Sequence, residues 1–282
     1  MRIFLTGGTG YIGKNFIEYA LKKKHIIYAP TRKKKNEKVK NLNWLIGSFD
    51  KNWKELKKSD VLIHLATTGV YRKHMPLNKC LEVNVIKSSK LLSNAINSKC
   101  LRWVIAGSCM EKKIKSKKFV KKIIKEKKRI PFFNYALSKF LFTKISILVS
   151  KKMKIKCRVI RLFHVYGKNE NKNRLWPSLI RAAKNNKNFI MTKGNQKRDF
   201  SHIDDISKAI LESINFKKKS EKFPQLWEMA TGKEMTIKSF AKKIWQKYHA
   251  KGKLVFNNLR DYDTQNYVAN KKLLWKVNFR KI

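Results

Sequence analysis

One feature near the N-terminus constrains the fold more than any other. In "MRIFLTGGTGYIGKNF" an apolar run, Arg2 to Thr6, leads straight into Gly7, Gly10 and Gly13 and then into a helical pattern from Tyr11 to Lys24. Glycines between a strand and a helix let the backbone turn tightly and let a pyrophosphate approach the free N–H groups and positive end of the helix. In this strand–turn–helix setting the spacing predicts a dinucleotide site, with Thr9, Tyr11 and Ile12 beside the glycines. The bland alternative is a tight βα turn with no ligand.

The rest of the chain continues that rhythm. Strands are expected at Arg2–Thr6, Ile26–Ala29, Trp44–Gly47, Val61–Ala66, Trp103–Ala106 and Lys156–Leu162, with helices over Tyr11–Lys24, Val83–Ser98 and Asn134–Lys152. Short apolar runs alternating with helical patterns predict an α/β fold, a doubly wound parallel sheet of the Rossmann type. Beyond Gly167 the rhythm loosens, with helices expected at Asp204–Asn215 and Thr236–Tyr248. The expected division is a dinucleotide-binding domain over 1–166, joined by the helix at about 203–216, and a smaller C-terminal α/β substrate lobe over 167–202 and 217–282.

At 282 residues and 43% hydrophobic content the chain can bury a substantial core. Its net charge of +50 invites a nucleic-acid or anionic-membrane partner. Yet lysines are spread along the whole chain and no basic repeat interleaves with aromatics, so solvated surfaces are the preferred reading and nucleic acid is not expected as a partner. The four cysteines (Cys80, Cys100, Cys109, Cys157) form no CxxC pair, so no metal site is expected and reduced cytosolic thiols are. Neither a signal peptide nor a membrane span is legible, which predicts a cytoplasmic protein. Lys112–Arg129 carries eleven Lys or Arg against the single acid Glu126, and reads as a solvated face rather than a ligand-facing flap.

A site for NAD offers an acid about 20 residues beyond the glycines, for the ribose 2′-hydroxyl. Here that place reads "YAPTRKKK"; Arg32, with Lys33, suits a 2′-phosphate, so NADP is favoured and NAD is the alternative. "PFFNYALSKFLF" puts Tyr135 and Lys139 four residues apart, on one helix face. A phenol of pKa about 10 is a poor acid–base group at neutral pH, and a nearby ammonium is expected to lower it. The fifth strand, ending in "WVIAGSCMEKK", delivers Ser108 to the carboxyl edge of the sheet, where α/β folds bind ligands.

Together these stretches resemble the extended short-chain dehydrogenase/reductases, the NAD-dependent epimerase/dehydratase group that acts on nucleotide sugars. "TGGTGYIGKN" is similar to the cofactor turn, and "DVLIHLATTG" to the strand along the cofactor, which brings in Leu65 and Ala66. "EVNVIKSSKLL" resembles the helix whose Asn84 supports the active site and substrate, "AGSCMEKK" and "YALSK" supply Ser108, Tyr135 and Lys139 as catalytic residues, and "VIRLFHVYGKNE" places His164 beside the nicotinamide. "NRLWPSLI" and "KRDFSHIDDISKAI" resemble the nucleotide-binding stretch, with Arg174 and Arg198 as substrate contacts, Arg198 to a diphosphate oxygen. The resemblance implies a nucleotide-sugar substrate and a homodimer. The acids usual after the second and third strands are missing, and the loop before the tyrosine is lysine-rich where relatives are commonly acidic.

Dehydratases of the family carry an Asp and a Glu after the active-site hydroxyl, whereas Ser108 is followed by Cys109 and Met110, which argues against dehydration. The basic "PTRKKK" stretch favours an exchangeable NADPH, hence reduction of a keto-deoxysugar nucleotide. A redox-neutral NAD-dependent epimerase is the enzymatic alternative, and a non-catalytic dinucleotide sensor or RNA-binding member of the fold is the alternative of another class. His164 reads as a cofactor or packing contact, Cys109 as a small buried thiol, and Asp204 and Asp205 as caps of a helix N-terminus. From Ala136 to Val149 the helix is charged only at Lys139 and Lys144, so both its sides need cover, one from the sheet and one from a second subunit.

Overall fold

A computed structural model describes residues 1–70, 75–114, 132–216, 221–257 and 266–280. The chain divides into two compact units: Met1–Leu162 with Ser207–Trp227, and Phe163–Ile206 with Glu228–Ile282.

In the first unit, β1 (Arg2–Thr6), β2 (Ile26–Thr31), β3 (Leu42–Ile46), β4 (Val61–His64), β5 (Arg102–Ser108) and β6 (Lys156–Leu162) lie side by side in the order β6-β5-β4-β1-β2-β3. All their pairings are parallel. Both faces of such a sheet are covered, so its strands read as continuous apolar runs: "VLIH" is buried at every position. On one face Phe4, Leu62, Trp103, Ile105 and Val159 pack with Leu91 and Leu92 of the helix Ser88–Asn97 and Phe142 of the helix Phe133–Lys152. The order reverses between β1 and β4. This switch point, at the carboxyl ends of the strands, is where doubly wound sheets leave a crevice for a ligand.

Three boundaries differ from the expectation in ways that matter. β5 runs on to Ser108, because Gly107 and Ser108 keep pairing with Arg161 and Leu162; β4 stops at His64, which frees Leu65 and Ala66 for the crevice. The helix expected from Val83 begins at Leu77 and passes through a π-helical turn, Glu82–Lys87, before Ser88–Asn97.

The second unit contains β7 (His164–Tyr166), β8 (Phe189–Thr192), β9 (Lys197–His202), β10 (Gln225–Ala230, from Glu228), β11 (Glu234–Thr236), β12 (Leu254–Asn257) and β13 (Leu274–Lys276). β7 pairs parallel with β9 and β11 antiparallel with it; β8 pairs with β12, and the end of β10 with β13. Its core gathers Leu179, Phe200, Phe240, Ile244 and Trp245, with Phe200 and Phe240 stacked at 3.9 Å. Residues 163–166 go with this unit, not with the first as the 1–166 boundary has it, since β7 pairs there. Residues 221–227 go with the first, because Glu221 and Gln225 hold its buried Arg158. The lysine-rich stretch Lys112–Arg129 lies outside the described residues beyond Ile114.

Candidate active site

Gly7 has φ +76°, a conformation that side-chain-bearing residues avoid, and a Cβ there would lie 2.6 Å from the Ala66 nitrogen. A Cβ on Gly13 would overlap the Gly7 carbonyl oxygen. The turn closes with Gly10 N–H donating to the Gly7 carbonyl at 2.9 Å. Gly10 then caps the helix Tyr11–Lys22 with no side-chain bond, and no acid stands in the first turn. The helix's positive end is thus left to an incoming anion, a setting that fits a dinucleotide pyrophosphate.

Ser108 is the last residue of β5, and Tyr135 and Lys139 lie one turn apart at the start of the long helix; all three are buried. The hydroxyls of Ser108 and Thr67 stand beside the Tyr135 phenol and act on its ionisation. Thr67 directly follows Ala66, so one short exit from β4 touches both the glycine turn and the phenol. Burial pushes the phenol above its usual value, and the Ser108 and Thr67 hydroxyls oppose it. The phenol therefore shifts upward in the chain alone, against the fall expected from a nearby ammonium, because burial dominates. Lys139 is itself drawn down by burial to about 8, with the Glu111 carboxylate opposing that fall.

Asn84, in the π-helical turn, accepts from the Thr67 hydroxyl (3.0 Å) and the Thr68 N–H (2.8 Å) and donates to the Thr68 carbonyl (3.0 Å) and the Ser138 hydroxyl (2.9 Å). Its amide capacity is filled. It ties Thr67 to the helix Phe133–Lys152, and its expected role as a substrate contact stays a proposal. The Thr67 proton is committed to Asn84.

A second chain of bonds secures the crevice. The Ser88 hydroxyl donates to the Val83 carbonyl (2.9 Å), so His64 Nε2 is the donor to Ser88 (3.0 Å) and His64 Nδ1 accepts from Thr6 (2.6 Å). Thr6 in turn accepts the Ala66 N–H at 3.3 Å. Burial, then the Lys139 charge, drives His64 down to about 3, so it stays neutral and structural.

Arg32 stands exposed just past β2, and the Lys33 N–H is tied back to Thr31 at 3.3 Å. All four cysteines are buried, and burial raises Cys100 and Cys157 to about 12, so these two stay thiols. In the second unit His164 packs against Phe200 and Tyr267 at 5.9 and 5.8 Å. Arg174 begins the helix Leu175–Lys184 and pairs with Glu170 at 3.5 Å; burial raises Glu170 to about 7, which Arg174 opposes. Arg198 is buried on β9 with its guanidinium 4.8 Å over the Tyr267 ring. Asp204 and Asp205 stand in the first turn of the helix Ile203–Glu212, where Arg280 binds them at 3.4 and 2.6 Å. Thr67, Glu111, Arg161 and Ser138 were not foreseen, though an arginine inside the apolar "CRVIRLF" and the one acid of "SCMEKK" are signals of a buried pair.

A doubly wound sheet whose switch point carries a glycine turn open to an anion, with hydroxyl, phenol and ammonium gathered at its carboxyl edge, defines a dinucleotide-dependent enzyme of the Rossmann class. The chain belongs to the NAD dependent epimerase/dehydratase family, whose sequence profile matches residues 3–225. It is 28% identical over 294 residues to a CDP-abequose synthase of Salmonella typhimurium, covering 98% of this chain and 93% of the relative. To a CDP-abequose synthase of Salmonella muenchen it is 24% identical over 284 residues, covering 99% and 92%. The fold is shared with a Thermus thermophilus UDP-glucose 4-epimerase solved with NAD, at a TM-score of 0.75 and 14% identity over 96% of this chain and 91% of that one. Among the described residues no helix is long and apolar enough to cross a membrane, and no group of His, Cys, Asp or Glu could hold a metal ion.

Proposed function

We propose that the protein reduces a keto group on a nucleotide-linked deoxysugar, using NADPH. The observation that carries this reading is the gathering of the Ser108 and Thr67 hydroxyls at the Tyr135 phenol, one helical turn from Lys139 and one residue away from the glycine turn through Ala66. The dinucleotide, when bound, supplies a hydride to the carbonyl carbon. Tyr135 gives its proton to the carbonyl oxygen, and the Ser108 hydroxyl donates to that oxygen as negative charge develops on it. Lys139 contributes a positive charge to the same buried space and would hold the ribose of the bound dinucleotide. The CDP-abequose synthase relatives, which make a nucleotide-linked sugar, support the substrate class, and Arg174 and Arg198 are the proposed contacts to its nucleotide.

NADPH in preference to NADH rests on Arg32 where an acid would hold a ribose 2′-hydroxyl. His164 remains a proposed neighbour of the nicotinamide. The second reading, a redox-neutral epimerase, draws on the fold shared with an epimerase solved with NAD.

The deciding experiment offers the purified protein NADPH and a nucleotide 4-keto-6-deoxysugar and follows absorbance at the reduced nicotinamide band. Oxidation in step with loss of the ketone is expected. No oxidation, together with NAD co-purifying in the protein, would favour the epimerase.

A further inference from the structure

An arginine inside an apolar strand needs an anion, and Arg161 of β6 has one. Its Nε donates to Glu111 Oε2 at 2.9 Å, with both side chains almost wholly buried. The other carboxylate oxygen, Oε1, accepts the backbone N–H of Ser108 at 2.8 Å. Gly107 leaves room for this: a Cβ there would lie 2.8 Å from Glu111 Oε1 and 3.1 Å from the Arg161 Cγ. Glu111 thus grips the residue whose hydroxyl meets Tyr135, and its charge acts on Tyr135 and Lys139. A fully buried carboxylate is costly to keep. Cys109 and Met110, between it and Ser108, carry no charge that shares this work.

We propose that Glu111, locked by Arg161, is a positioning residue that presents the Ser108 hydroxyl to Tyr135. This rests on the Ser–Tyr–Lys reading of the site but not on which sugar is reduced. Among the described residues, His64 of β4 is neutral and Tyr135 on its own helix is protonated, while the helical run packed along that helix brings Lys79, Glu82 and Lys87, which pair with one another at the surface. Glu111, itself paired with Arg161, is the carboxylate whose charge acts on the lysine. Removing it leaves burial unopposed, so Lys139 gives up its proton at lower pH.

The test compares wild type with Glu111→Gln and Gly107→Ala. Glu111→Gln keeps shape and loses charge: kcat should fall on the order of tenfold, KM for NADPH should stay within about twofold, and the alkaline limb of the kcat profile should move to lower pH. Gly107→Ala pushes on the carboxylate and leaves its charge, so kcat should fall with the limb in place. A double-mutant cycle of Glu111→Gln and Lys139→Gln, read on melting temperature, needs no turnover. The Glu111 change should cost more when Lys139 is present. Additive melting shifts, or an unmoved alkaline limb in Glu111→Gln, overturn the proposal. A wild type that oxidises no NADPH overturns the reductase reading alone, since the melting cycle still reports the Glu111–Lys139 interaction.

Discussion

The hydroxyls of Ser108 and Thr67 act on the Tyr135 phenol, and the proton of Thr67 is committed to Asn84. Tyr135→Phe should therefore lower kcat about 10²- to 10⁴-fold, the range for a lost acid–base group, and leave dinucleotide binding intact; steady-state rates and NADPH fluorescence separate the two. Lys139 makes an opposite prediction for stability. Its folded value, about 8, lies below its ordinary 10.5. A cation so depressed costs stability while it is protonated in both states, below pH 8, and the cost is relieved as pH rises through the folded value toward the unfolded one. Lys139→Met should raise the melting temperature at pH 7 by several degrees and abolish turnover, as calorimetry and rates will tell. In the wild type the same titration makes activity fall as pH rises through about 8. Arg32→Ala tests the cofactor reading: the affinity for NADPH should drop roughly tenfold to a hundredfold with NADH little changed, from the worth of a charged hydrogen bond.

At the scale of elements, the first strand, turn and helix act as one device. Gly13→Ala would drive a methyl into the Gly7 carbonyl and push the turn off Leu65 and Ala66. Weakened NADPH binding, by at least about tenfold, with a lower melting temperature is expected from fluorescence titration and thermal unfolding. This device was legible in the sequence because glycine leaves an explicit mark where backbone must approach backbone. The six strands were legible because a sheet covered on both faces writes continuous apolar runs. What the sequence hid is the pairing of polar residues distant in the chain. Asn84 reaches Ser138 and Thr67, and Glu111 reaches Arg161, across separations that no local period encodes. The π-helical turn at Asn84 was invisible for a related reason: one extra residue in a turn leaves the apolar pattern of "EVNVIKSSKLL" almost unchanged.

At the scale of the molecule, the long helix Phe133–Lys152 is apolar on both sides. Its buried positions are Tyr135, Ala136, Ser138, Lys139, Phe142, Thr143, Ser146 and Ser150, with Phe142 in the core, whereas Leu148 is 65% exposed and Leu137, Leu141 and Ile145 are only partly covered. Hydrophobic side chains on the outer side of a helix already packed on its inner side call for a second apolar surface. A chain of net charge +50 repels its own copy over a Debye length of about 10 Å, so self-association is cheapest where charge is sparse, and this face carries Lys144 in its middle, with Lys151 and Lys152 at its C-terminal end. We infer a homodimer built on this helix. Leu148→Lys adds both a desolvation cost and a repulsion across the two-fold axis, and should shift the protein from twice its chain mass to 33.3 kDa in sedimentation equilibrium. The wild-type dimer should tighten as salt rises from about 0.05 to 0.3 M, because screening relieves the repulsion while apolar burial is retained; a wild type monomeric across that range would remove the helix face from the argument.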